Sequence, residues 1–505
     1  MPYMENWMDC DYLVNFAAMT SGGKASEFLL TIYDGHPGTK ELLEDIQKES
    51  QGKFHLKGLS GSSSALVASS VVRHLNGIFF FLFPENEEAA YFYNDLAQTG
   101  IQNIYFFPSS FRALKYSQEK DPANTILRTE VIRAISSFQG AGSLCIVSYA
   151  EAIAEPIVSK DTLLSNTFRI ERGNKLSISF LDEVLHSFHF ERVEFVYEPG
   201  QYAIRGSLVD IFSYASDKPF RIDFFGEEVD SIRTFDVETQ LSVEQKESVE
   251  LIPDLAVLQG NVSSILRQPG IRAIIWAGDL PLIAEHFRTL SGKPVSSEGS
   301  GNFITYSDAE TLLNEIKNLE VIETGLQAFF PGKTITFSTQ PQPVFRKNFD
   351  LLVSHLEENE LNGITTVLLA ENPAQEGRLA EIIRNLKPGL HLTFEIGSLH
   401  EGFTDNDLRI SLFTDHQIFD RYHKYHIKGL FHKSEQITLQ ELMALQPGDY
   451  VVHIDHGIGK FAGLQKIEVN GRMQEALRLV YKDNDILFVN IHSLHKISKY
   501  KGKEG

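Results

Sequence analysis

The chain has 505 residues, with 46 Lys and Arg against 67 Asp and Glu, and a formal net charge of −21. That balance argues against a nucleic-acid surface along the whole chain, because phosphate binding needs clustered Lys and Arg, though it leaves room for a local basic patch. At about 150 residues per domain the length predicts three or four domains. The two cysteines, Cys10 and Cys145, make no disulfide framework and fit a reducing, cytoplasmic setting, and no apolar run approaches the ~20 residues of a membrane span.

Residues 1–27 carry no assignable pattern. Residues 28–166 alternate helix and strand: the amphipathic "ELLEDIQKE", the strand "GIFFFLFP", the helix "NEEAAYFYNDLAQTG", the strand "IQNIYFFP", the helix "ANTILRTEVIRAISSFQ" and the strand "GSLCIVSY". That rhythm predicts an α/β domain with a parallel sheet. Residues 167–253 change to a strand-rich α+β or all-β insertion, with Gly, Pro and Asp at the turns. Helix–strand alternation resumes over 254–333, and a further small α/β domain covers 334–414, with the strand "GITTVLLA" and the helix "PAQEGRLAEIIRNLK". A linker at 415–445 leads into a second strand-rich block, 446–505. There Asn470-Gly471 predicts a tight hairpin, and several short strands predict a small β-barrel.

Three stretches carry candidate chemistry. The first, "GLSGSSSAL", approaches the phosphate-loop pattern G-x-x-x-x-G-K-[ST]. Gly58 opens it, Gly61 follows, and Ser63, Ser64 and Ala65 stand where Gly, Lys and Ser/Thr belong. Ser64 lacks the cation that meets the β/γ-phosphates and Ala65 lacks a Mg²⁺ ligand, so a strand-to-helix turn is expected rather than nucleotide hydrolysis. The second is the strand "FRIDFF", 220–225. Alternation puts Phe220, Ile222 and Phe224 on a core face and Arg221, Asp223 and Phe225 on the other. An outward Phe beside an Arg fits an interface, while a solvated Arg221–Asp223 pair with Phe225 covered by a neighbour is the alternative. The third is "VVHIDHGIGK". His453, Asp455 and His456 lie too close along one strand end for convergent metal ligation, so no metal is expected. "RYHKYHIKGLFH" reads as a solvated basic connector. No Ser-His-Asp order, carboxylate pair or Cys-His cluster stands out, which points to docking surfaces rather than catalysis.

Two long stretches carry a family resemblance. "YEPGQYAIRGSLVDIFSYASDKPFRIDFFGEEVDSIRTFDVETQLS" resembles the module shared by UvrB and the transcription-repair coupling factors, the Mfd family. "LQPGDYVVHIDHGIGKFAGLQKIEV" with "ALRLVYKDNDILFVNIHSLHKISKY" resembles the RNA-polymerase-interacting module of the same family, related to CarD-type factors. The resemblance implies a UvrB-like region with a degenerate phosphate loop and no counterpart of the aromatic hairpin with which UvrB grips DNA. It implies two recruiting surfaces: UvrA at Arg205, Arg221 and Phe225, and the RNA polymerase β subunit at Ile467 by edge-to-edge strand pairing. It further implies that the ATP- and Mg-dependent DNA translocase, and with it most DNA contact, lies outside this chain, which then has no cofactor and no catalytic residues of its own. The function implied is coupling of polymerase stalled at a lesion to nucleotide excision repair. Two other readings stay open: a CarD-like polymerase-binding regulator with a scaffold N-terminal region, and an active UvrB-like ATPase.

Overall fold

The computed structural model describes residues 25–48, 51–113, 118–237, 239–255, 262–267, 270–295, 305–423, 445–453, 456–469, 472–481, 485–490 and 497–499. It divides into two compact units: residues 1–165 with 255–429, and residues 166–254 with 430–505.

The first unit carries a seven-stranded sheet. The order across it is Lys333–Thr336, Lys53–Lys57, Glu320–Thr324, Ala273–Gly278, Gly77–Phe83, Ser143–Tyr149 and Ile104–Phe107. All neighbours run parallel. Gly77–Phe83 is buried at all seven positions, so its sequence is an unbroken apolar run, as in a parallel strand covered on both faces. A second, mixed sheet orders Thr339–Pro341, Phe403–Asp405, Ile410–Thr414, Thr365–Ala370 and Thr393–Ile396. The helices Phe349–Leu361 and Pro373–Leu386 pack on it through Leu352, Leu356, Leu379 and Ile383. The strands Phe111–Ala113 and Gln118–Lys120 pair antiparallel.

The second unit holds two antiparallel assemblies. In the first, six strands order Ser242–Lys246, Glu228–Phe235, Phe220–Phe225, Leu208–Ile211, Gln201–Arg205 and Glu191–Arg192, antiparallel except for the last pair. One face is the core: Val209, Ile211, Phe220, Ile222, Phe224 and Ile232 pack with Leu181 and Leu185 of the helix Ile178–Ser187. This bears out the alternation expected for 220–225.

In the second assembly the strands order Ile486–Asn490, Arg472–Val480, Gly457–Val469, Tyr450–His453 and Ile497–Lys499. The sequence predicts a small barrel. Among the described residues, no pairing joins the two outermost strands, and the observed form is an antiparallel sheet. Its centre is two long strands of 13 and 9 residues rather than several short ones. Their ladder ends with Val469 opposite Arg472; Asn470-Gly471 lies outside the described residues. Among the described residues no helix is long and apolar enough to cross a membrane.

Candidate functional site

The turn at 58–62 joins the strand Lys53–Lys57 to the helix Ser63–His74. Gly58 and Gly61 both adopt positive φ, +88° and +54°. A Cβ on Gly58 would lie 2.2 Å from the Phe337 carbonyl oxygen, and one on Gly61 would lie 2.9 Å from that of Gly402. Only glycine tolerates both the conformation and the approach. Residues 400–402 of the same unit close over this turn. Ser62 N–H donates to the Glu401 carbonyl at 3.1 Å, and Glu401 N–H donates to Ser62 Oγ at 3.0 Å. Ser62 Oγ in turn donates to Asp95 Oδ2 at 2.5 Å, and His400 N–H donates to Asp95 Oδ1 at 2.7 Å. Ser63 is buried and its hydroxyl donates to the Ser60 carbonyl; Ala65 is buried and Ser64 half-buried. The Ser62 N–H and the Ser63 hydroxyl thus face the chain's own backbone carbonyls.

Burial pushes the Asp95 carboxyl up to about 7, against the two hydrogen bonds that hold it down. The folded carboxyl therefore binds its proton more tightly than the unfolded one, whose ordinary value is 3.8. The associated stability is present below that value and is lost as pH rises through about 7.

Two histidine clusters adjoin this region. His36 Nε2 lies 3.6 Å from Asp405 Oδ2 and 3.7 Å from Asp407 Oδ2, a grouping with metal-ligand spacing. Its other nitrogen, Nδ1, accepts from Gly38 N–H at 3.0 Å, so Nε2 carries the proton and is not a free ligand lone pair. Asp405 also accepts from Tyr33 OH and from the N–H groups of Asp407 and Leu408. These bonds anchor Asp405, while His36 Nε2 is buried and makes no hydrogen bond among the described residues. In the second, His400 stacks on Tyr91 with ring centroids 3.5 Å apart, and His423 stacks on His416 at 4.4 Å. Burial lowers His400 to about 4. His423 is thus half-buried rather than part of a solvated connector, because a ring stack holds it; residues 424–444 lie outside the described residues. His453 is buried with its ring 4.8 Å from His456, and Asp455 is outside the described residues.

On the six-stranded sheet, the face opposite the core carries a charged row, Asp210–Arg221–Arg233–Gln245, each residue opposite the next on adjacent strands. Asp210 is only 1% exposed and both of its oxygens are taken. Arg221 donates Nε to Oδ1 at 2.8 Å and Nη2 to Oδ2 at 2.9 Å. Arg205 donates Nη2 to Oδ2. Arg221 also donates Nη1 to the Gln240 carbonyl at 3.0 Å and lies over the Phe235 ring. Arg205 donates Nη1 to the Glu194 carbonyl and lies over Phe195. Phe225, at the tip of the same strand as Arg221, is 85% exposed.

The structure therefore brings Arg205 and Arg221 together on one carboxylate and leaves Phe225 bare at the edge of the same face. Sequence reasoning missed Asp210. The signal was available: a two-residue turn at Gly206-Ser207 sets Arg205 opposite Leu208, which puts Asp210 on the arginine face. The alternative, an Arg221–Asp223 pair, is not what forms: Arg221 pairs with Asp210. Asp223 instead faces Arg233 at 3.8 Å and accepts from Ser207 Oγ.

Ile467 lies in the strand Gly457–Val469, opposite Gln474. Residues 457–460 pair with Tyr450–His453, and the pairing with Arg472–Val480 begins at Lys460, opposite Val480. Among the described residues, 464–469 are paired on one side only. A register shift between Phe461 and Leu464 turns this outer half away.

Each of these two sheets falls within a segment that matches a family model. The family model described as "UvrB interaction domain" matches residues 168–255, and "CarD-like/TRCF RID domain" matches residues 445–501. Homologues of the chain over nearly its whole length are Mfd transcription-repair-coupling factors. That of Bacillus subtilis (strain 168) is 24% identical over 95% of this chain and 47% of its own length. That of Escherichia coli (strain K12) is 23% identical over 89% and 45%, and that of Haemophilus influenzae is 24% identical over 91% and 46%. The chain spans about half the length of these relatives.

Replacing Asp95 with Asn keeps the acceptor for Ser62 or His400 and removes the titration. Wild type should lose stability between pH 5 and pH 8 relative to Asp95→Asn, measured by urea unfolding at both pH values. An identical pH dependence in the two proteins would rule out a raised Asp95.

Proposed function

We propose that this chain is the N-terminal, docking part of a transcription-repair coupling factor. It recruits UvrA through the face that carries Phe225, and it docks RNA polymerase, through the β subunit, on the open outer half of the strand 457–469. The observation that carries this reading is Phe225: an aromatic side chain 85% exposed, beside paired arginines, within the segment that matches the UvrB interaction domain. Large aromatics and arginines dominate the energetics of protein interfaces. The half-paired strand supports the polymerase reading, since strand addition takes its affinity from free backbone hydrogen-bonding groups. Any ATP-driven translocation belongs to the half of the relatives that this chain does not span, and the turn at 58–65 serves as a joint.

Phe225→Ala should weaken UvrA binding by about 10- to 100-fold, or roughly 1–3 kcal/mol. Its melting temperature should stay near wild type, because the ring covers no core. Titration of UvrA with parallel melts checks this. Unchanged affinity would leave the module without its UvrA role, and retained polymerase binding alone would then favour the CarD-like regulator.

Ile467→Arg should abolish capture of the polymerase β subunit, because it places a charge where an incoming strand must desolvate it. The circular dichroism spectrum should be unchanged. Full capture by this variant, with the sheet intact, would refute the strand assignment.

The purified chain should show no ATP turnover above buffer, with or without DNA, because Ser64 supplies no cation and residues 400–402 cover the turn. Magnesium-dependent hydrolysis abolished by Ser64→Ala would overturn this part of the proposal.

A further inference from the structure

We infer that Asp210 is a positioning residue for the UvrA surface, and that Arg205, not Arg221, is the cation this surface offers its partner. The inference rests on the proposed UvrA reading and deepens it.

Two guanidinium groups and one carboxylate leave a single net positive charge, and the geometry decides which arginine presents it. Arg221 is used internally. Its Nε, Nη1 and Nη2 all donate within the module, to Asp210 Oδ1, the Gln240 carbonyl and Asp210 Oδ2. Its face lies over Phe235 with the guanidinium carbon 4.6 Å from the ring centre, and its side chain is only 16% exposed. Arg205 is held at two points, Asp210 Oδ2 and the Glu194 carbonyl, and rests over Phe195 at 5.1 Å. Its side chain is 34% exposed, and its Nε makes no hydrogen bond among the described residues. An arginine so fixed has little rotamer freedom left to lose on binding, which is how a preformed contact gains affinity.

Asp210 is the group that makes this possible. It sits between two cations that would otherwise repel, and its 1% exposure leaves it no contact with a partner. It acts only through the arginines. The sheet register sets the partner's chemistry. Arg205 opposes Leu208, Leu208 opposes Asp223, and Phe225 lies two residues beyond on that strand. At the ordinary strand spacing and rise this puts Arg205 about 12 Å from Phe225. The matching UvrA surface is one carboxylate at that distance from an apolar recess.

The test is a double-mutant cycle on UvrA affinity with the full chain, with melts in parallel. Arg205→Ala and Phe225→Ala should each weaken binding at least 10-fold. Asp210→Asn should weaken it about 10-fold in the wild-type background and less than 2-fold in the Arg205→Ala background, because its effect passes through Arg205. Equal losses in both backgrounds, or no loss in wild type, would overturn the inference. Should Asp210→Asn fail to fold, Arg221→Met decides. It leaves the Asp210–Arg205 pair in place and should bind UvrA within about 3-fold of wild type; a loss as large as that of Arg205→Ala would refute the assignment. Unchanged binding by both Arg205→Ala and Phe225→Ala would instead remove the UvrA reading itself.

Discussion

Asp95 joins two parts of the first unit that lie some 300 residues apart in the chain. One of its oxygens accepts from Ser62, at the start of a helix, and the other from His400 N–H. Closure of the 58–62 turn by residues 400–402 goes with that bridge, as does the need for glycine at 61, where a side chain would strike the backbone of 401 and 402; at 58 it would strike Phe337. A loop with the outline of a phosphate cradle is thus turned inward. The N–H groups of Ser62 and Ser63 donate to the carbonyls of Glu401 and Ser60, and that of Ser60 donates to the Ser63 hydroxyl. The proposed docking surfaces both lie in the second unit.

In that unit the distinction between holding and contacting groups matters. Arg221 looks like a binding residue in the sequence and is largely a structural one in the fold, since its donors are committed to Asp210 and Gln240. Removing one cation from a buried carboxylate costs about 1–3 kcal/mol, so the binding of an Arg221 variant is read together with its melt. Phe225, with no core contact to lose, separates the two. The C-terminal sheet solves a different problem: its long central strand pairs with Tyr450–His453 over 457–460 and with Arg472–Val480 over 460–461 and 464–469, so one element belongs to the sheet and, among the described residues, leaves one side of 464–469 open.

Much of this was legible in the sequence. Unbroken apolar runs such as 77–83 gave the parallel strands, and period-two alternation over 220–225 separated core from surface correctly. What escaped was set by pairing across the fold. Arg221 and Asp223 share a face at about 7 Å along one strand, whereas Asp210 stands directly opposite on the next strand at about 5 Å, so the nearer acid wins. The closure by residues 400–402 has no local signature, because its partners are far apart in the chain. His423 read as solvated because the stacking ring of His416 is a tertiary neighbour. Counting turns in 446–505 did not convey that the C-terminal sheet is built on two long strands, of 13 and 9 residues.

The central claim is that one chain recruits two partners through separate surfaces. Analytical ultracentrifugation of purified chain, UvrA and RNA polymerase tests it most directly. UvrA should sediment with polymerase only when the chain is present, and either Phe225→Ala or Ile467→Arg should break that link while sparing the other partner's binding. Competition, with UvrA displacing polymerase from the chain, would contradict it.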